Sequence, residues 1–295
     1  MTLQAIPYIL LLGFLYGSTL IASRFSVGQF EPVTYIGLRL TMASAGHAVI
    51  YAMVRERRWP TDRRLWRHAI VLGVFGTAAP MVAIVTSLQY QSSGITSLLI
   101  TTNPALTVLM AHFFLTDEKL VRRKTVGVAL ALGGAALLAA RGESGLSGVT
   151  QASPVGYGLV LLAMVSGSSM TIYARRYMRN LDPLDVASVR MLVAALFVMP
   201  ASTLLVGVDL GAVDGHGYFA LVYAALVGTF AGMMLAFYNI QRFGATAAAM
   251  TAYVIPAVTG IGGVLILGET LTTFMLIGMA IIVLGISLIN QTSAR

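Results

Sequence analysis

The chain has 295 residues, of which 57% are hydrophobic and 10% charged, with a formal net charge of +8 and no cysteine. Ordinary soluble domains carry about 25% charged residues, so a soluble enzyme, a nucleic-acid reader and a secreted disulfide scaffold are excluded. The missing cysteines remove thiolate nucleophiles and Cys-based metal sites as well.

The apolar residues fall into ten blocks of the length an α-helix needs to cross roughly 30 Å of hydrocarbon. They are 3–22, 33–54, 68–88, 92–114, 124–140, 155–175, 185–206, 218–239, 246–266 and 272–290. The first block lacks a basic lead-in and outruns the apolar region of a signal peptide, so it is read as a span. Fifteen of the 19 Lys and Arg residues lie in the even-numbered connections or at the termini. Two, Arg24 and Arg141, lie in odd connections, and Arg39 and Arg190 lie inside spans. This positive-inside bias places both termini in the cytoplasm of a multi-pass protein of the cell (inner) membrane. The basic residues form no binding patch, so lipid and a small solute are the expected partners and nucleic acid is not. Oligomeric state is left open, with a monomer sufficient.

Polar groups inside spans cost free energy unless they pair or face water, so each is a site candidate. In the first span Tyr16, Thr19 and Ser23 share one helix face, as do Ser166, Ser169 and Tyr173 in the sixth. Ser18 and Ser168, beside Gly17 and Gly167, read either as substrate contacts or as parts of a close helix crossing. Tyr16 is too large for such a crossing and reads as a substrate contact. Arg39 and Arg190 each lie seven residues past the proline that opens their span, about 10 Å inside the interface. They could snorkel, cap carbonyls or meet a substrate carboxylate; because both halves keep the pair, a structural role is favoured. The third span has Pro80 near its middle and Gln89-Tyr90 at its outer end, either a gate or an interface anchor.

The fourth span carries Thr101-Thr102-Asn103-Pro104. Asn103 falls about 16 Å down its helix, near the bilayer centre, and Pro104 frees a carbonyl at that depth. A substrate hydrogen-bonding station (Thr102, Asn103) and an interhelical amide contact with a kink are both open readings. The ninth span repeats the device with Tyr253 and Pro256, on a stripe with Thr246, Met250 and Ala257. Glu118 and Glu269 are expected to cap the fifth and tenth helices. No Asp or Glu lies deep in a span, and only His47 and His112 are titratable there. Facilitated transport or exchange is therefore expected, for zwitterionic or neutral solutes rather than cationic drugs. The central positions offer no expected Lys or Arg for a phosphate.

The chain also repeats itself. Glu118-Lys119-Leu120, Gly127 and Gly134 recur as Glu269-Thr270-Leu271, Gly278 and Gly285, and Pro32 and Arg39 recur as Pro183 and Arg190, all at an offset of 151. Gly17-Ser18 recurs as Gly167-Ser168 at 150. A Gly/Ser-rich stretch, 142–153, joins unit 1–141 to unit 154–295. Five spans per unit force the second to enter the membrane from the opposite face. The fold class is an all-α polytopic membrane protein of ten transmembrane helices, built as two inverted-topology five-helix repeats.

Two five-span halves, each with Pro-x6-Arg in the second span and a Glu-x-Leu-x6-Gly-x6-Gly ending, resemble the EamA branch of the drug/metabolite transporter superfamily. The resemblance implies a central cavity, exchange between outward-open and inward-open states, and no cofactor. Better-known members export amino acids or related metabolites, YddG-type exporters among them. The expected function is a secondary transporter for amino acids or relatives. A proton-coupled efflux pump is the alternative; a channel or an intramembrane enzyme follows at a distance, for no Gly-x-Ser-x-Gly, His-Glu-x-x-His or phosphate-loop motif is present.

Overall fold

The computed structural model describes residues 3–54, 56–115, 119–149, 151–244 and 249–292. Among them the chain forms ten helical rods: α1 (Ile6–Phe25), α2 (Pro32–Met53), α3 (Arg63–Ser87), α4 (Ser93–Phe114), α5 (Arg122–Arg141), α6 (Pro154–Tyr177), α7 (Pro183–Leu205), α8 (Gly215–Phe243), α9 (Thr251–Leu267) and α10 (Thr273–Thr292). Eight are long and apolar enough to cross a membrane; α9 is a shorter apolar helix, and α2 spans 22 residues but carries Arg39 and His47. Glu118 and Thr246 lie outside the described residues.

Local chemistry sets the starts. Pro32, Pro154 and Pro183 occupy first helical positions, where the missing N–H costs nothing. Asp62, Ser92, Ser153, Asp182 and Asp214 cap α3, α4, α6, α7 and α8 by accepting first-turn backbone N–H bonds. Glu269 departs from expectation. It sits four residues before α10, which Thr272 caps through the Met275 N–H. The Glu269 carboxylate instead accepts from the Ser93 N–H (2.7 Å), the Ser93 hydroxyl (2.8 Å) and the Gly94 N–H (3.3 Å), capping α4 across the repeat boundary. The exposed N–H groups and positive end of α4 account for this choice.

The two halves interlock. α1 packs against α8 and α9, and its counterpart α6 packs against α3 and α4. The pairs α2–α7, α4–α9 and α5–α10 each join a helix to its own equivalent. The repeated glycines make the α5–α10 crossing: a Cβ on Gly285 would lie 2.5 Å from the Ala131 nitrogen, and one on Gly127 would lie 2.6 Å from the Gly285 oxygen. Gly17 similarly receives Val258 of α9, whereas a Cβ on Gly167 would meet nothing.

Two helices are locally unwound to π geometry, α3 over Val74–Ala78 and α8 over Tyr223–Ala231. Each contains a Gly-Thr pair, Gly76-Thr77 and Gly228-Thr229, and each threonine hydroxyl donates to the carbonyl five residues back. In α3 the widened turn directly precedes Pro80, which lacks the N–H to close a regular one. In α9, Pro256 removes the donor for the Ala252 carbonyl, and the Thr101 hydroxyl of α4 reaches that carbonyl at 3.4 Å. Pro104 follows the interruption of α4 at Thr102.

Candidate functional site

A cavity of about 310 Å³ lies between the halves, walled by α1, α2, α3, α7 and α8, with Ile100 of α4 and Ile255 of α9 closing it. Its walls are pseudo-symmetric. Arg39 faces it with Arg190, Gly76-Thr77 with Gly228-Thr229, and Met81 with Met233. The two unwound helices therefore meet at the cavity, where widened turns bring backbone and threonine hydroxyls to its surface. α1 breaks the symmetry by adding Tyr16, Thr19, Leu20 and Ser23.

Arg39 is buried and held. Its Nε donates to the Thr229 hydroxyl at 2.7 Å and a terminal nitrogen donates to the Ser23 hydroxyl at 3.1 Å. Ser23 passes the bond on to the Thr19 carbonyl, and Thr229 to that of Ala224. Arg190 is half-buried, and its Nε is enclosed with no hydrogen-bond partner. Neither guanidinium pairs with a described carboxylate, and the described cavity wall holds neither a carboxylate nor an imidazole. The expectation of a centre without basic groups is thus corrected: both intramembrane arginines reach the cavity, because each sits on the face of its helix that meets the other half.

Of the eight residues expected to contact substrate, Tyr16 lines this cavity, its hydroxyl donating to the Gly232 carbonyl at 3.3 Å. The other seven lie elsewhere. Asn103 and Ser168 bond one another at 2.8 Å across α4 and α6, with Thr107 donating to Ser168. Thr102 is buried and donates to the Leu99 carbonyl. The Tyr253 hydroxyl accepts from the Asn290 amide at 3.1 Å. Ser18 pairs with the Tyr223 hydroxyl at 2.8 Å on a lateral groove. That groove is walled by outward-facing residues such as Phe219 and Ile261, as a lipid-facing surface requires. Gln89 and Tyr90 are exposed past the end of α3. The two span histidines are also away from the cavity wall: His47 pairs with Ser188 between α2 and α7, and His112 accepts from the Leu120 N–H.

A duplicated helical fold with a pseudo-symmetric cavity between its halves invites comparison with known transporters. Residues 3–140 and 154–291 each match the EamA-like transporter family. The chain belongs to that family. An uncharacterized transporter of Archaeoglobus fulgidus is 23% identical over 277 residues, covering 93% of this chain and 94% of the relative. The uncharacterized inner membrane transporter YedA of Escherichia coli is 26% identical, covering 94% and 87%. A probable terminal-alkyne amino-acid exporter of Streptantibioticus cattleyicolor is 28% identical, covering 86% and 82%. A crystal structure at 21% identity matches 97% of the chain with a TM-score of 0.67, which shows the shared fold.

Within this EamA fold the sequence carried a signal for the cavity beyond the arginines. Gly76-Thr77 and Met81 recur as Gly228-Thr229 and Met233 at an offset of 152. This is one step beyond the register of the proline–arginine and Glu-Gly matches, so a search fixed at 151 passes over them.

Proposed function

We propose that this EamA-family protein is a secondary transporter. It moves small zwitterionic or neutral metabolites, amino acids and their relatives foremost, outward across the inner membrane. The observation that carries this reading is the cavity between inverted repeats, walled by equivalent residues from both. Such a site can open to either side by rocking one bundle against the other. Its volume suits a small organic solute, and its methionine, isoleucine, threonine and tyrosine lining suits one with apolar and polar parts. The carrying units are 1–141 and 154–295, joined by 142–153, with both termini cytoplasmic. The exporter relative supports amino-acid export.

The reading includes no obligatory proton coupling, since the described wall offers no titratable carboxylate or imidazole. Glu269, a buried carboxylate, favours the proton-coupled alternative; its oxygens are committed to the α4 N-terminus and lie 3.9 Å from the Arg24 Nε, away from the cavity. Purified protein in proteoliposomes should show saturable counterflow of a radiolabelled amino acid, undiminished when an imposed pH gradient is collapsed. Uptake that vanishes with the gradient favours the coupled pump; non-saturable flux favours a channel.

A further inference from the structure

The central cavity holds two guanidinium groups, and they are not equivalent. Arg39 directs its Nε to Thr229 and a terminal nitrogen to Ser23. By the internal repeat, the matching partners of Arg190 are Thr77 and Tyr173. Neither bonds it. The Tyr173 hydroxyl is 2.8 Å from Nδ1 of His68, a residue whose counterpart in the other half is Ala220. The Thr77 hydroxyl turns back to the Leu72 carbonyl. Arg190 is left in the cavity wall with its Nε enclosed and unpaired.

An enclosed guanidinium N–H without a partner is costly, and a guanidinium offers a planar fork that matches a carboxylate through two parallel bonds. The surrounding wall, with Met81, Met233, Ile84 and Ile100, is mostly apolar and supplies few further donors. Among the described residues a single unpaired guanidinium stands in this wall, which suits a monoanionic group better than a phosphate dianion, which needs more donors. We infer that Arg190 is the substrate anchor and that the substrate class is defined by a free carboxylate: amino acids and simple organic acids with a compact apolar body. No described wall residue offers a negative charge to an amino group, so the amine is dispensable. This deepens the transporter reading and rests on it only for the claim that the bound solute is moved.

The test is thermal stabilisation of the purified full chain by a fixed panel. The panel contains aliphatic and aromatic L-amino acids, their carboxamides, the corresponding deaminated acids, and inorganic phosphate. Acids, with or without the amine, should bind, and their carboxamides should not. Arg190→Gln should keep the wild-type melting temperature and lose about tenfold to hundredfold in affinity, the range of a charge-assisted pair. Arg190→Lys should recover part of that loss. Equal binding of acid and amide, binding of phosphate alone, an absence of any acid that binds, or wild-type affinity in Arg190→Gln overturns the inference. Should Arg190→Gln fail to fold, Arg190→Lys and the acid–amide comparison on wild type decide it. Counterflow separates the two readings: saturable counterflow of an uncharged solute keeps the transporter and removes the anchor. Acid binding that Arg190→Gln abolishes, without counterflow of that acid, keeps the anchor and removes the transporter.

Discussion

Arg39 shows how a charge is kept inside an apolar bundle without an acid beside it. Two hydroxyls from two other helices take its donors, and each hydroxyl is itself anchored on a backbone carbonyl. Thr229→Val strips Nε of its acceptor while leaving the shape nearly unchanged. An enclosed donor left unmade costs about 1–3 kcal/mol, so the melting temperature should fall clearly. Thr77→Val, whose hydroxyl makes one 3.5 Å bond, should fall less; equal drops would show that Arg39 does not depend on Thr229. A second residue-scale expectation concerns Asp182, which caps α7 and pairs with Arg57 at 3.0 Å. Partial desolvation pushes its carboxyl up, but the Arg57 bond and the Asp185 and Leu184 N–H groups outweigh this and hold it below its ordinary value. A depressed folded-state value means stabilisation present above the unfolded value and lost as pH falls through the folded one. Both partners are well exposed, so the pair contributes at most about 1 kcal/mol. The melting gap between wild type and Asp182→Asn should therefore be small at neutral pH and close below about pH 4; a gap unchanged by pH removes the assignment. Both arginines were legible in the sequence as intramembrane charges at matching positions. Which one is free was not, because that turns on a serine–tyrosine difference in α1 and α6 and on where the Tyr173 hydroxyl points.

At the scale of helices, small residues and broken turns divide the work. The glycines of α5 and α10 let the two backbones touch, as membrane helices require when lipid leaves no hydrophobic drive between them. Gly285→Ala places a Cβ against the Ala131 nitrogen and the Gly127 oxygen, both backbone atoms that cannot swing away. The crossing must widen, at a cost of about 1–3 kcal/mol by analogy with overpacked cores. Gly133→Ala, on the partner helix α5 with nothing within 4 Å, should be neutral or gain up to about 1 kcal/mol. Thermal melts of the two variants in one detergent check this, and a Gly285→Ala protein as stable as Gly133→Ala would show that the crossing has slack. The glycine spacing was legible because it repeats. The π segments were not: hydropathy is blind to whether a turn closes at four residues or five, and the choice is made by contacts from another helix. Gly228, for instance, has no room for a Cβ because Thr19 of α1 lies against it. The same holds for Glu269, read as the start of its own helix and found on the N-terminus of α4. Sequence distance favours a local cap, while the folded chain presents a nearer set of free N–H groups.

The whole molecule follows from one odd number. Five helices per half leave equivalent loops on opposite sides, so the halves interlock about an axis along which α2 meets α7, α4 meets α9 and α5 meets α10. The cavity lies between them and not inside either, and Asn103 and Tyr253, polar groups beside the prolines of their own spans, bond neighbouring helices instead of facing it. The chain lacks cysteine, so single cysteines can report sidedness without background. Thr61 and Ala212 are exposed residues of corresponding connections in the two halves. Thr61 sits in an arginine-rich connection between α2 and α3, and Ala212 in one between α7 and α8 that has no Lys or Arg. Under the positive-inside rule the first faces the cytoplasm. In intact cells an impermeant maleimide should label Ala212→Cys and spare Thr61→Cys until the membrane is opened. The reverse pattern would invert the protein while keeping the repeat, and labelling of both from one side would remove the inverted repeat and the shared cavity with it.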